Sequence, residues 1–121
     1  MSNPIQWLEI ATADLERAKS FYTEVFQLEF HFIEMPDSKM YMFGAPGEVG
    51  SAGCLMWSEE TKPSTDGTTV YFSCDDVATQ LARVEAAGGK IVVPRTDIGE
   101  FGVFAQIIDT EGNRIGLHSD K

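Results

Sequence analysis

Two stretches of this chain, positions 7–57 and 69–119, read as one pattern written twice. Displacing the sequence by 62 places (76 minus 14) lays Asp14-Leu15 on Asp76-Val77, Gly50 on Gly112 and Leu55 on Leu117. Few identities survive, yet a single register keeps strand over strand, helix over helix and turn over turn. A unit of about 50 residues in only two copies is too few for a solenoid, which needs three or more repeats to bury its faces. The pattern predicts two half-domains that share a sheet and enclose a cleft. The 121 residues suffice for one domain with a core of its own. Module one spans 4–58, a linker 59–67 and module two 68–119.

Each module carries the same local signals. Ile5–Ala11 alternates as a strand, with Trp7 and Glu9 on one face and Leu8 and Ile10 on the other. Asp14 is placed to cap a helix in which Leu15, Ala18, Tyr22 and Val25 recur at helical spacing as far as about Phe26. Strands follow near Leu28–Glu34, Lys39–Phe43 and Ser51–Ser58. After the polar linker, with its Lys62-Pro-Ser-Thr-Asp-Gly67 run, the order repeats. Thr68–Ser73 is a strand, and Asp76 caps a helix lined by Val77, Leu81 and Val84. Gly88-Gly89 stops that helix, and strands follow near Lys90–Val93, Val103–Asp109 and Arg114–Ser119. Asp109-Thr-Glu-Gly-Asn113 reads as a hairpin turn. The expected class is α+β: two βαβββ modules forming a curved mixed sheet around a cleft, with both helices outside.

Composition narrows the partners. Nineteen acidic against nine basic residues give a formal net charge of −10, which argues against binding a phosphate backbone and so against nucleic acid. No run approaches the roughly 18 apolar residues of a membrane span, and no secretory signal opens the sequence. Cys54 and Cys74 have no metal or redox spacing and read as free thiols in a reducing compartment, so the expected location is cytoplasmic.

Three segments, Trp7–Tyr22 (WLEIATADLERAKSFY), Val84–Lys90 (VEAAGGK) and Asp109–Leu117 (DTEGNRIGL), resemble the vicinal oxygen chelate superfamily. That superfamily includes glyoxalase I, bleomycin-resistance proteins and extradiol dioxygenases. The resemblance runs over essentially the whole chain and implies the same duplicated fold. Its enzymes bind a divalent metal through four side chains, and those positions fall here on Trp7, Cys54, Thr69 and Gly116. Such an ion needs several N or O donors, and this set does not supply them. The expectation is therefore no cofactor and no metal at the usual place. A displaced divalent site on Glu9 and His118 is the disfavoured alternative, because two protein ligands without a third rarely hold a metal strongly.

The resulting functional expectation is a metal-free protein that binds a small apolar or aromatic molecule in its cleft. Its binding residues would be Trp7, Cys54, Met56, Trp57, Thr69, Tyr71, Glu100, Phe101, Phe104 and Arg114. Aromatic faces bury area and stack on flat ligands, Glu100 and Phe101 would close over the cleft mouth, and Arg114 would neutralise Glu9 or hold a ligand carboxylate. The alternative is an enzyme on the same scaffold, a lyase, isomerase or dioxygenase. It would use Glu9 and His118 as an acid–base pair or as the displaced metal site. Cys54 reads as a small buried thiol rather than a nucleophile, and His31, set among Phe30, Phe32 and Ile33, as a structural histidine. A cleft open at one edge leaves strand ends and aromatics uncovered, and relatives by resemblance often pair, so a homodimer is expected.

Overall fold

The computed structural model describes residues 4–45, 48 and 50–121. Module one runs β1 (Trp7–Ala11), α1 (Leu15–Phe26), β2 (His31–Glu34), β3 (Ser38–Phe43) and β4 (Ala52–Ser58). Module two repeats it as β5 (Val70–Ser73), α2 (Val77–Val84), β6 (Lys90–Asp97), β7 (Val103–Ile108) and β8 (Arg114–Ser119), with a single 3₁₀ turn at Gly99–Phe101. The strands form two mixed four-stranded sheets of identical order, β1-β4-β3-β2 and β5-β8-β7-β6. The first strand of each lies parallel to the last, and the other pairings are antiparallel. This is the duplication read from the sequence.

Both helices begin where an aspartate can serve as cap. Asp14 accepts from the Arg17 amide at 3.1 Å and Asp76 from the Ala78 amide at 3.0 Å, satisfying donors that the first turn cannot. Leu15, Tyr22, Val25, Val77 and Val84 are buried and Leu81 is partly so, as the helical spacing requires. They join one continuous core with Ile10 and Leu55 of the first sheet and Ala105, Ile107, Ile115 and Leu117 of the second. Phe26 stacks on Phe72 with ring centroids 4.4 Å apart, so α1 packs across both modules.

The turn between β7 and β8 fastens the modules together. Asp109 accepts from the Tyr22 hydroxyl at 2.6 Å, from the Glu111 and Asn113 amides and from the Asn113 side chain. Glu111 takes the Ala13 and Asp14 amides at 2.9 and 2.7 Å and pairs in two-pronged fashion with Arg17. Asn113 donates to the Ala11 carbonyl and accepts from the Ser64 amide. A segment read as a hairpin turn is thus also the polar joint of the domain. Burial opposes ionisation of Glu111, but Arg17 and its three other donors outweigh it and hold the carboxyl below its ordinary value.

Candidate functional site

Each sheet has one face on the core and one face free of the helices. Ile10, Leu55 and Tyr41 share the core side of the first sheet, so strand alternation turns Glu9, Cys54 and Met42 to the other. The register sets His31, Met42, Cys54 and Glu9 in one row across the four strands, with Ile33, Met40, Met56 and Ala11 in the next. This wall carries three methionines and a cysteine side by side, a soft and deformable apolar surface. Cys54 is wholly shielded by its neighbours. Burial, with the Glu9 charge adding, pushes its thiol up to about 12, which leaves no thiolate to act as nucleophile.

The free face of the second sheet is aromatic. Tyr71, Gly116 and Gln106 form one row, and Ser73, His118 and Phe104 the next. The Tyr71 ring lies flat over Gly116, where an added Cβ would stand 2.3 Å from it. Tyr71, Phe104, His118, Ile98 and Phe101 line an open hollow of about 580 Å³, within the size of small-molecule sites. His118 Nε2 lies 2.6 Å from the Phe101 carbonyl oxygen. A carbonyl only accepts, so Nε2 carries the hydrogen and ties the 3₁₀ turn to β8. Gly102 closes that turn with φ +98°, and an added Cβ there would stand 2.3 Å from the Ser119 carbonyl oxygen, which bars any side chain.

The remaining candidates are spread around these two walls. Trp7 is 42% exposed and its indole donates to Glu9 at 3.4 Å. Thr69 sits half-buried just before β5. Met56 is on the free face of its sheet, but Trp57 is not. Two residues along from Leu55, it shares the core-facing side and packs against the core, so its expected place on the cleft wall is corrected. Glu100 and Phe101 are both exposed on the 3₁₀ turn, Phe101 by 70%. Glu9 and Arg114 line one groove, between β1 and the start of β8, yet Arg114 bonds Gln106 and the Thr65 carbonyl rather than Glu9. No hydrogen bond joins Glu9 to His118, so the structure does not assemble them as an acid–base pair.

The four positions that would hold a divalent metal do not fit one. The Trp7 indole has only a donor, Gly116 has no side chain and a ring in its place, and Thr69 offers only a hydroxyl, so Cys54 would stand as the single strong ligand of the four, too few to hold a divalent ion. Among the described residues no three His, Cys, Asp or Glu side chains gather as a metal-binding group. Sequence reasoning missed Met40, Met42 and Gln106. Their signal was phase alone: each alternates with a core residue, Tyr41 or Ala105, and so faces the cleft side.

Comparison with known proteins bears on the family and the fold. The sequence profile of the Glyoxalase/Bleomycin resistance protein/Dioxygenase superfamily matches residues 4–117. A glyoxylase-like domain-containing protein of Didymella fabae is 32% identical over 113 residues, covering 90% of this chain and 88% of its own. The Mycobacterium bovis protein named "Putative glyoxylase CFP32" is 30% identical over 107 residues, but the chain spans only 40% of its length. Among solved structures, TnmS3, an antibiotic binding protein from Streptomyces sp. CB03234, superposes with a TM-score of 0.76 at 23% identity. That superposition covers 100% of this chain and 98% of TnmS3. A glyoxylase/bleomycin resistance protein/dioxygenase domain from Frankia sp. EAN1pec reaches 0.77 at 14% identity, with 100% of both chains covered. The last two likenesses concern the fold.

Proposed function

This chain belongs to the glyoxalase/bleomycin resistance protein/dioxygenase superfamily, and on that premise we propose that it binds a small apolar or aromatic molecule without a metal. The observation that carries the reading is the Tyr71 ring lying over Gly116. At a position where metal-dependent relatives by resemblance place a donor, this chain has an aromatic floor. Tyr71, Phe104 and Phe101 present that floor to solvent, and the methionine-lined wall of the first sheet offers a second apolar surface. TnmS3, described as an antibiotic binding protein, is an instance of this scaffold serving as a binder.

The proposed assembly is a cytoplasmic homodimer in which the two chains complete each other's clefts. Trp7, Tyr71 and Phe101 are large, apolar and exposed in the single chain, and such surface is ordinarily covered by a ligand or a partner. No helix of the described residues is long and apolar enough to cross a membrane.

Native mass spectrometry of the protein, before and after soaking with Ni, Zn or Mn, tests the reading. The expected species carry no stoichiometric metal and add one aromatic ligand per cleft. Tight one-to-one metal uptake would overturn it.

A further inference from the structure

The apolar floor contains one polar device whose orientation is fixed by its chemistry. Arg114 Nη1 donates to Gln106 Oε1 at 2.9 Å, and Gln106 Nε2 lies 2.7 Å from the Tyr71 hydroxyl. A guanidinium has no acceptor, so the oxygen of Gln106 must face it and the amide NH₂ must face Tyr71. The Tyr71 hydroxyl therefore accepts from Gln106. Its own hydrogen has no acceptor among the described residues, and the side chain is 46% exposed at the hollow. Arg114 is itself held by the Thr65 carbonyl at 3.4 Å, which fixes the far end of the relay.

Resting on the apolar-binder reading, we propose that Tyr71 is a specificity-determining residue and that the ligand is a flat ring system bearing an acceptor oxygen, a carbonyl or phenolate. The ring of Tyr71, flush on Gly116, supplies a stacking plate. Its hydroxyl, with the acceptor side taken by Gln106, supplies a single donor at the plate's edge. A cationic origin to the chain of bonds polarises each member and strengthens that donor. A ring without an acceptor would leave the hydroxyl desolvated and unpaired, and this penalty is what discriminates.

The test uses two neutral probes of nearly the same shape, 9-fluorenone and fluorene, titrated against tryptophan fluorescence of the full chain. The wild type is expected to bind fluorenone about tenfold more tightly than fluorene, the usual range for one buried hydrogen bond. Tyr71→Phe keeps the plate and should erase that preference while retaining fluorene binding. Gln106→Glu keeps the hydroxyl but replaces the donor with a carboxylate that accepts the hydroxyl hydrogen. It too should erase the preference, an effect that loss of packing alone would not produce. Equal binding of both probes by the wild type, or a preference that survives Tyr71→Phe, overturns the inference and leaves the apolar site standing. Failure of both probes to bind overturns the apolar-binder reading along with it.

Discussion

Glu111 and Arg17 form an ion pair whose two ends are unequal. The Glu111 side chain is fully buried and also holds two amides ahead of α1, whereas Arg17 is half exposed. Removing the carboxylate strips a buried charged network, and Glu111→Ala should lose about 3 kcal/mol of stability by urea unfolding. Arg17→Ala should cost much less, because its guanidinium is screened by solvent and Glu111 keeps the Ala13, Asp14 and Thr110 donors. Because the folded carboxyl titrates below its ordinary 4.5, its contribution is complete above that pH. It is lost as acid carries the protein down through the lowered folded value. Glu111→Gln should flatten this acid limb of the stability profile. Tyr22 has the opposite sign: burial first, then Asp109, raise its phenol well above 10.0. That contribution is whole below pH 10 and fades as the pH climbs toward the raised value. Two glycines differ in the same instructive way. A methyl at Gly53 would meet the Leu8 carbonyl oxygen at 2.6 Å, an atom of the backbone, whereas at Gly116 it would meet the ring of half-exposed Tyr71. Gly53→Ala should cost about 3 kcal/mol, and Gly116→Ala about 1 kcal/mol while lifting the ring from the floor.

At the scale of elements, the sequence carried most of what the structure holds. Helix starts were legible because a cap is a local transaction between an aspartate and amides two or three residues on, as at Asp14 and Asp76. Helix α2 has only eight residues, so its cap matters more, and Asp76→Ala should cost about 1 kcal/mol and lower helical content by circular dichroism. Strand limits were less legible. The strand expected over Lys90–Val93 runs on to Asp97 through Pro94, because β6 is the free edge of its sheet and its register shifts on both sides of Val93. An edge strand with bulges tolerates a residue that cannot donate. The strand expected from Leu28 begins only at His31, since Gln27 ends α1 in the left-handed conformation and the chain must first turn back. Trp57 was misplaced for a related reason. Aromatic character suggests a pocket, but shared parity with the core-facing Leu55 decides which face the side chain takes.

The joint between modules was the part that sequence could not show. Tyr22 meets Asp109 across 87 positions and Arg17 meets Glu111 across 94, and no local pattern encodes such separations. Part of the hollow's lining was legible by residue type and strand parity: Tyr71, Phe104 and His118, expected in the cleft, lie together there. Its hydrogen bonding was not legible, which is why Gln106 and the shared use of Arg114 emerged only from the fold. For the whole molecule the expected state is a homodimer, with apolar contacts at the centre and acidic residues at the rim. Light scattering at micromolar concentration should give twice 13.3 kDa. A mass of one chain would remove the shared-cleft arrangement while leaving the hollow on each chain. Whether the hollow binds without a metal is decided by titrating 9-fluorenone in excess EDTA and again with Ni, Zn or Mn added. One affinity is expected throughout, and binding that appears only when metal is supplied would overturn the metal-free reading.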